Sequence, residues 1–175
     1  NVPELLDFYF NHSKNILIKT APILDITAGL AELKNVKSIH VVAIENEVKE
    51  LLWLLSKDYT DEISIIAVNI TKKNVSKFEF ILNSSKEIPS FSLPKKYLFE
   101  PNSAIMKSGG FAQVSSFFKL DKIHIHSHFY TSDTMIDFPG RIFKIENYFQ
   151  YNKANMKQHL ENQKINITIR NFPDS

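Results

Sequence analysis

The stretch NEVKELLWLLSK, residues 46–57, decides how the first half of this chain is read. Val48, Leu51, Leu52 and Leu55 recur at the spacing that lays apolar side chains along one stripe of an α-helix, with Glu47, Lys49 and Glu50 on its solvated face. Read so, the stretch is a helix between two apolar strands, SIHVVAI (38–44) and ISIIAVNI (63–70). Trp53 then belongs to the core rather than to a cofactor contact.

Working outward, NILIKT (15–20) is a further β-rich run, and TAGLAELKN after it reads as a short helix. Strands that alternate with helices predict an α/β sheet with parallel character, and near-continuous apolar strands predict burial on both faces. KFEFIL (77–82) alternates apolar and polar residues, which predicts an edge or antiparallel strand. Ligands of such sheets sit outside the carboxyl ends of the strands. That places Lys19, Thr20, Pro22 and Asp25 beside any crevice, together with Glu45, Asn46 and Glu47 after the second strand. The competing reading makes Asp25 or Thr27 a helix cap. Neither GxGxxG nor a Walker pattern is present, and the four glycines (Gly29, Gly109, Gly110, Gly140) are poorly placed to cradle a phosphate. If the sheet uses a nucleotide-like ligand, the binding half is expected to lie outside this sequence.

The chain has 175 residues, of which 43% are hydrophobic and 23% charged, a balance that predicts a folded protein. It has no cysteine, which excludes disulfides, thiolate zinc sites and a Cys nucleophile and agrees with a reducing compartment; cytoplasm is the expectation. No apolar run approaches the ~18 residues of a membrane span, so no membrane partner is expected. The start, NVPELLDFYF, lacks a signal-peptide pattern and a Met, as an excised piece would. Residues 1–93 carry 10 Lys and Arg against 12 Asp and Glu, whereas residues 94–170 carry 11 against 6, so the second half is the better partner for a polyanion.

The segment 83–96, NSSKEIPSFSLPKK, has the composition of a linker, and the domain boundary is placed there. Beyond it the expected order is strand 97–100, helix 102–118, strand 122–128, strand 141–147, helix 152–160 and strand 164–170. That βαββαβ order is ferredoxin-like. Asn102 or Ser103 would cap the first helix and Asn152 the second. Gly109 and Gly110 inside the first helix indicate close packing or a break. KIHIHSHFY (122–130) puts His124, His126 and His128 on one face of its strand. Two of them could share a metal, but residues two apart on a strand fan out by ~6.5 Å, so a polar recognition face accounts for the alternation better. Lys95, Lys96, Lys107, Arg141, Lys144 and Arg170 are candidates for phosphate contact, Arg through bidentate geometry.

Taken in order, ILIKTAPILDI, IHVVAIENEVKELLWLL, YLFEPNSAIMKSGGF, KIHIHSHFYTSD, FPGRIFKI and INITIRNFP resemble the C-terminal part of bacterial class I SAM-dependent methyltransferases that carry a THUMP-like domain. The resemblance runs from about Asn15 to Pro173. It implies that residues 1–82 are the last strands of a Rossmann-like methyltransferase sheet, that 83–94 are a linker, and that 95–175 are a ferredoxin-like, THUMP-like domain cut short at Ser175. The family's SAM-binding glycine motif and its Asp-Pro-Ala-Arg-Arg motif lie upstream of anything here. The implied cofactor is therefore SAM in the intact protein and none in this chain, which alone should neither bind SAM nor catalyse. His124 and His128 fall where the family pattern tends to have His, and His126 where it tends to have Asn, so no metal site is implied.

The expected function is that of a C-terminal fragment of an RNA methyltransferase. Lys19, Pro22 and Asp25 would stand near the crevice, and Lys95, Lys96, Lys107, His124, His128, Arg141 and Arg170 would engage RNA. The rival expectations are a stand-alone nucleic-acid-binding module without catalysis and a metal-binding domain centred on the histidines.

Overall fold

Two sheets built on a shared core organise the chain, as seen in a computed structural model that describes residues 1–84, 88–160 and 164. The first sheet has the order β1-β3-β2-β4-β5, from β1 (Asn15–Thr20), β2 (Val36–Ile44), β3 (Glu47–Ser56), β4 (Ser64–Ile70) and β5 (Val75–Ile81). The expected helix at 46–57 is therefore a strand, β3. Leu51, Trp53 and Leu55 alternate with Leu52 and Leu54, and only the first three are fully buried. The stripe Val48, Leu51, Leu52, Leu55 fits a period of 3.6, but the same residues support a period of 2 once neighbours on both sides supply backbone partners.

Local geometry starts this strand. Glu45 (φ 49°) and Asn46 (φ 62°) both take left-handed backbone, the requirement of a two-residue I′ hairpin, and turn β2 directly into β3. β3 pairs antiparallel with β2 and with β1, so β1 and β2 run parallel to each other with β3 reversed between them. β4 lies parallel to β2, and β5 closes the other edge antiparallel, as KFEFIL predicted. The sheet is thus mixed, not a regular alternation of strand and helix.

The expectation of burial on both faces is also corrected. Register places Ile18, Trp53, Ile39 and Ile65 in one row, and Leu51, Val41, Ala67 and Phe78 in the next, all on one face. That face is the core. The opposite face carries Leu17 at 64% exposure and the ion pairs Lys19–Glu50 and Lys77–Glu79. α1 (Leu6–Phe10) adds Leu6 and Phe10 to the core, and α2 (Ile26–Glu32) presses Gly29 onto Trp53 so closely that a Cβ there would lie 2.3 Å from the indole ring.

The second sheet has the order β7-β8-β6-β9, from β6 (Tyr97–Pro101), β7 (Asp121–Lys122), β8 (Tyr130–Ser132) and β9 (Gly140–Lys144), every neighbour antiparallel. β6 and β7 are therefore parallel with β8 inserted between them, a split βαβ of ferredoxin-like type. The second half-unit, β8 to β9, crosses through residues 133–139 in place of a helix, and α5 (Lys153–Leu160) follows β9. Asn102 and Asn152 cap as expected, accepting from Ile105 N at 3.0 Å and from Asn155 N at 2.8 Å. The expected single helix 102–118 is broken into α3 (Ser103–Ser108) and α4 (Phe111–Phe118). Gly109 takes φ 76° as a left-handed cap, and Gly110 abuts Phe80 of β5. α3 packs against β2, β3 and β4, joining the two sheets into one hydrophobic cluster.

The expected strand 122–128 ends after Lys122. Lys122 is 5% exposed and its Nζ donates to Ile125 O at 3.1 Å, while Ser127 N donates to His124 O at 3.0 Å and Ile123 N to Phe129 O at 3.2 Å. These bonds fold 123–129 into a compact hairpin loop, so the three histidines do not project from one strand face. The expected strand 164–170 lies outside the described residues, Lys164 excepted.

Candidate functional site

The parallel strands β1, β2 and β4 end on the same side of the first sheet, and there the second sheet meets it across a polar cleft of about 730 Å³. Asn46 follows β2, Asn69 is the penultimate residue of β4, Asn74 lies in the β4–β5 turn and Asn102 caps α3; all four line the cleft. Arg141 of β9 and Lys107 of α3 complete its cationic part, and Glu100 of β6 its acidic part.

The amides are held in one orientation by backbone donors. Asn69 Oδ1 accepts from Asn46 N at 3.0 Å, Asn46 Oδ1 from Ser103 N at 2.8 Å, and Asn102 Oδ1 from Ile105 N at 3.0 Å. Asn74 Oδ1 accepts from the Thr71 hydroxyl at 2.8 Å. A backbone N–H can only donate, so the atom facing it must be the amide oxygen; the Oδ1 and Nδ2 positions of Asn69, Asn46 and Asn102 are thereby determined. Asn102 Nδ2 donates onward to Ser76 Oγ at 3.1 Å. The network links the β2–β3 turn, the end of β4 and the start of α3.

The residues singled out in the sequence distribute as follows. Lys19 lies on the open face of β1, paired with Glu50 at 2.9 Å. Pro22 sits in the turn after β1, and Asp25 caps α2, accepting from Thr27 N at 2.8 Å and Ala28 N at 3.1 Å. The capping alternative is thus the one seen. The Ala28 N–H above all, then that of Thr27 and the charge of Lys107, hold the Asp25 carboxyl below the usual carboxylate range. Lys107 and Arg141 are brought together on the cleft, Arg141 ion-paired with Glu100.

Lys95 is held at the opposite edge of the second sheet from Arg141, in an ion pair with Asp121 of β7. That hydrogen bond raises the Lys95 ammonium and lowers the Asp121 carboxyl relative to their usual ranges. Lys96 lies over the Tyr97 ring, 5.5 Å from its centroid. Lys144 pairs with Glu146 at 2.8 Å. His124 Nδ1 accepts from His126 N at 3.2 Å in the exposed loop, whereas the His128 ring stacks on Phe111 with centroids 3.7 Å apart. Among the described residues no group of three or more His, Cys, Asp or Glu is placed to hold a metal ion. Arg170 lies outside the described residues. Among the described residues the basic candidates therefore do not form one patch, and Lys107 and Arg141 share the cleft.

Sequence reasoning placed Asn46 near the crevice and Asn102 at a cap, but missed Asn69, Asn74 and Ser76. The available signal was Asn69 itself, an amide inside the apolar run IIAVNI, because a buried polar side chain implies a fixed set of partners. Chemically the cleft can bind and orient: it offers amide and guanidinium donors, and its described lining holds no His to act as a base beside a nucleophile.

A family described as a ferredoxin-like domain matches residues 97–139, in agreement with the strand order of the second sheet. A crystal structure from Porphyromonas gingivalis W83, described as that of a candidate methyltransferase, is similar over 89% of this chain at 33% identity and a TM-score of 0.81. The chain spans 40% of the length of that protein. No match is found among the curated proteins.

Proposed function

We propose that this chain is the C-terminal portion of a SAM-dependent methyltransferase acting on RNA. Residues 1–82 would complete a Rossmann-like catalytic sheet, 83–94 would connect, and 95–175 would form a ferredoxin-like, THUMP-like substrate module. The observation that carries the reading is the likeness to the Porphyromonas protein at 33% identity over 89% of the chain. The reversed strand between two parallel ones supports it, since it sets the ends of β1, β2 and β4 on the side where open α/β sheets take ligands. Lys19, Pro22 and Asp25 stand in or just after β1, with Pro22 and Asp25 on that side. SAM would be held by a portion outside this sequence, because no glycine-rich phosphate or nucleoside turn occurs within it.

The test is methyl transfer by the full-length product of the gene that encodes this sequence, using tritium-labelled SAM and total RNA. Label is expected in an RNA fraction. Label appearing only in protein or small molecules would refute the RNA assignment, and no transfer to any acceptor class would refute the methyltransferase assignment.

A further inference from the structure

We infer that the cleft seats the base of an unpaired nucleotide, with the acceptor atoms of the base facing the amides of Asn46, Asn69 and Asn74; this rests on the RNA reading above. At about 730 Å³ the cleft falls within the range of small-molecule sites. Its donors are preset. The carbonyl oxygens of Asn46 and Asn69 are already engaged by Ser103 N and Asn46 N, so their NH₂ groups are what remains to offer, and the Asn74 amide stands beside the Thr71 hydroxyl on the same wall. Asn69 is 7% exposed and its NH₂ opens on the cleft, where an acceptor can take it.

Charge then selects among acceptor-bearing ligands. Arg141 is already paired with Glu100, whose carboxylate lines the same cleft, so a phosphate beside that pair would meet a negative charge. A neutral heteroaromatic ring would not, and Lys107 is the lining cation left to take the phosphate of the nucleotide. Met106, Phe138 and Pro139 supply apolar surface for such a ring, and amide side chains are well suited to base edges. Single-stranded bases are the form of RNA whose edges can be presented in this way.

The test compares binding of the 175-residue chain to single-stranded RNA 12-mers with binding to matched abasic ribose-phosphate oligomers, by fluorescence anisotropy at one salt concentration. Wild type is expected to prefer the base-bearing oligomer by tenfold or more. Asn69→Asp and Asn74→Asp keep each scaffold acceptor but remove the donors, and are expected to bring the ratio of the two affinities towards one. The ratio cancels the effect of the added charge on phosphate attraction, and exposed Asn74 serves if the Asn69 variant does not fold. Equal wild-type affinity for the two oligomers, or a ratio unchanged in the variants, overturns the inference while leaving RNA binding intact. Absence of any RNA binding instead overturns the functional reading. The cleft is then judged by titration with free nucleosides, in which unmoved Asn69 and Asn74 side-chain amide NMR signals overturn the inference.

Discussion

Gly109 and Gly110 are neighbours that serve different ends, and substitution separates them. At Gly109 (φ 76°) a Cβ meets nothing within 4 Å, so Gly109→Ala should cost only backbone strain, about 1–2 kcal/mol, with Asn recovering part of it. At Gly110 a Cβ would lie 2.5 Å from Phe80 Cε1, an overpacking worth about 1–3 kcal/mol. Urea titration should show Phe80→Leu relieving Gly110→Ala but not Gly109→Ala; equal relief of both would refute the distinction. His40 gives a pH counterpart. On β2, beside Ser38 Oγ at 3.3 Å, its imidazole is pushed below its usual value by burial first and by Lys77 of β5 second, against a smaller opposite pull from Glu79. The unfolded chain therefore binds the proton more readily. The contribution is present above the unfolded value of about 6.5 and is lost as pH falls through the lower folded value. Thermal unfolding of His40→Gln should accordingly change less between pH 7 and pH 5 than that of wild type.

Elements show where local pattern and tertiary structure part ways. In 46–57 the Leu-rich composition and 3.6-residue stripe favour a helix, yet β1 and β2 both pair with the segment over most of its length, and tertiary pairing outweighs propensity. The turn signal was obscured too, because Glu45-Asn46 makes a hairpin usually announced by Asn-Gly. Turn statistics alone say that Asn46→Gly should stabilise. Here Asn46 Oδ1 accepts from Ser103 N of α3, so the change is expected instead to cost about 1 kcal/mol in chemical denaturation, and a gain in stability would show that bond to be without weight. By contrast β1, β2, β4, β5, α2 and the caps Asn102 and Asn152 were legible, since each depends on contiguous apolar runs or on contacts within four residues. The strand assigned to the histidines failed because Lys122 turns inward, with Nζ bonded to Ile125 O three residues on and 5.9 Å from the ring centroid of the more distant Phe111.

For the molecule as a whole, the two sheets are joined by apolar and polar contacts together. Leu51, Ile39 and Val41 share a core with Phe99, Ile105 and Tyr130, and at its margin Asn46, Asn69 and Asn102 tie turn, strand and helix across the same junction. Composition located a change of character near residue 83 but carried no information on how the parts fit, because an amide network spanning residues 46–103 has no period along the chain. The cleft was for that reason invisible in the sequence although its rim residues Lys107 and Arg141 were not.

The placement of β3 between β1 and β2 also sets an order of assembly. β1 borders only β3 in the described sheet, so this pairing cannot form during synthesis until the ribosome has released the chain past Ser56 and the β2–β3 hairpin has closed. β1 thus docks after β2 although it is made before it, and a nascent chain stalled within residues 21–46 would leave Ile16 and Ile18 without the β3 strand they pack beside.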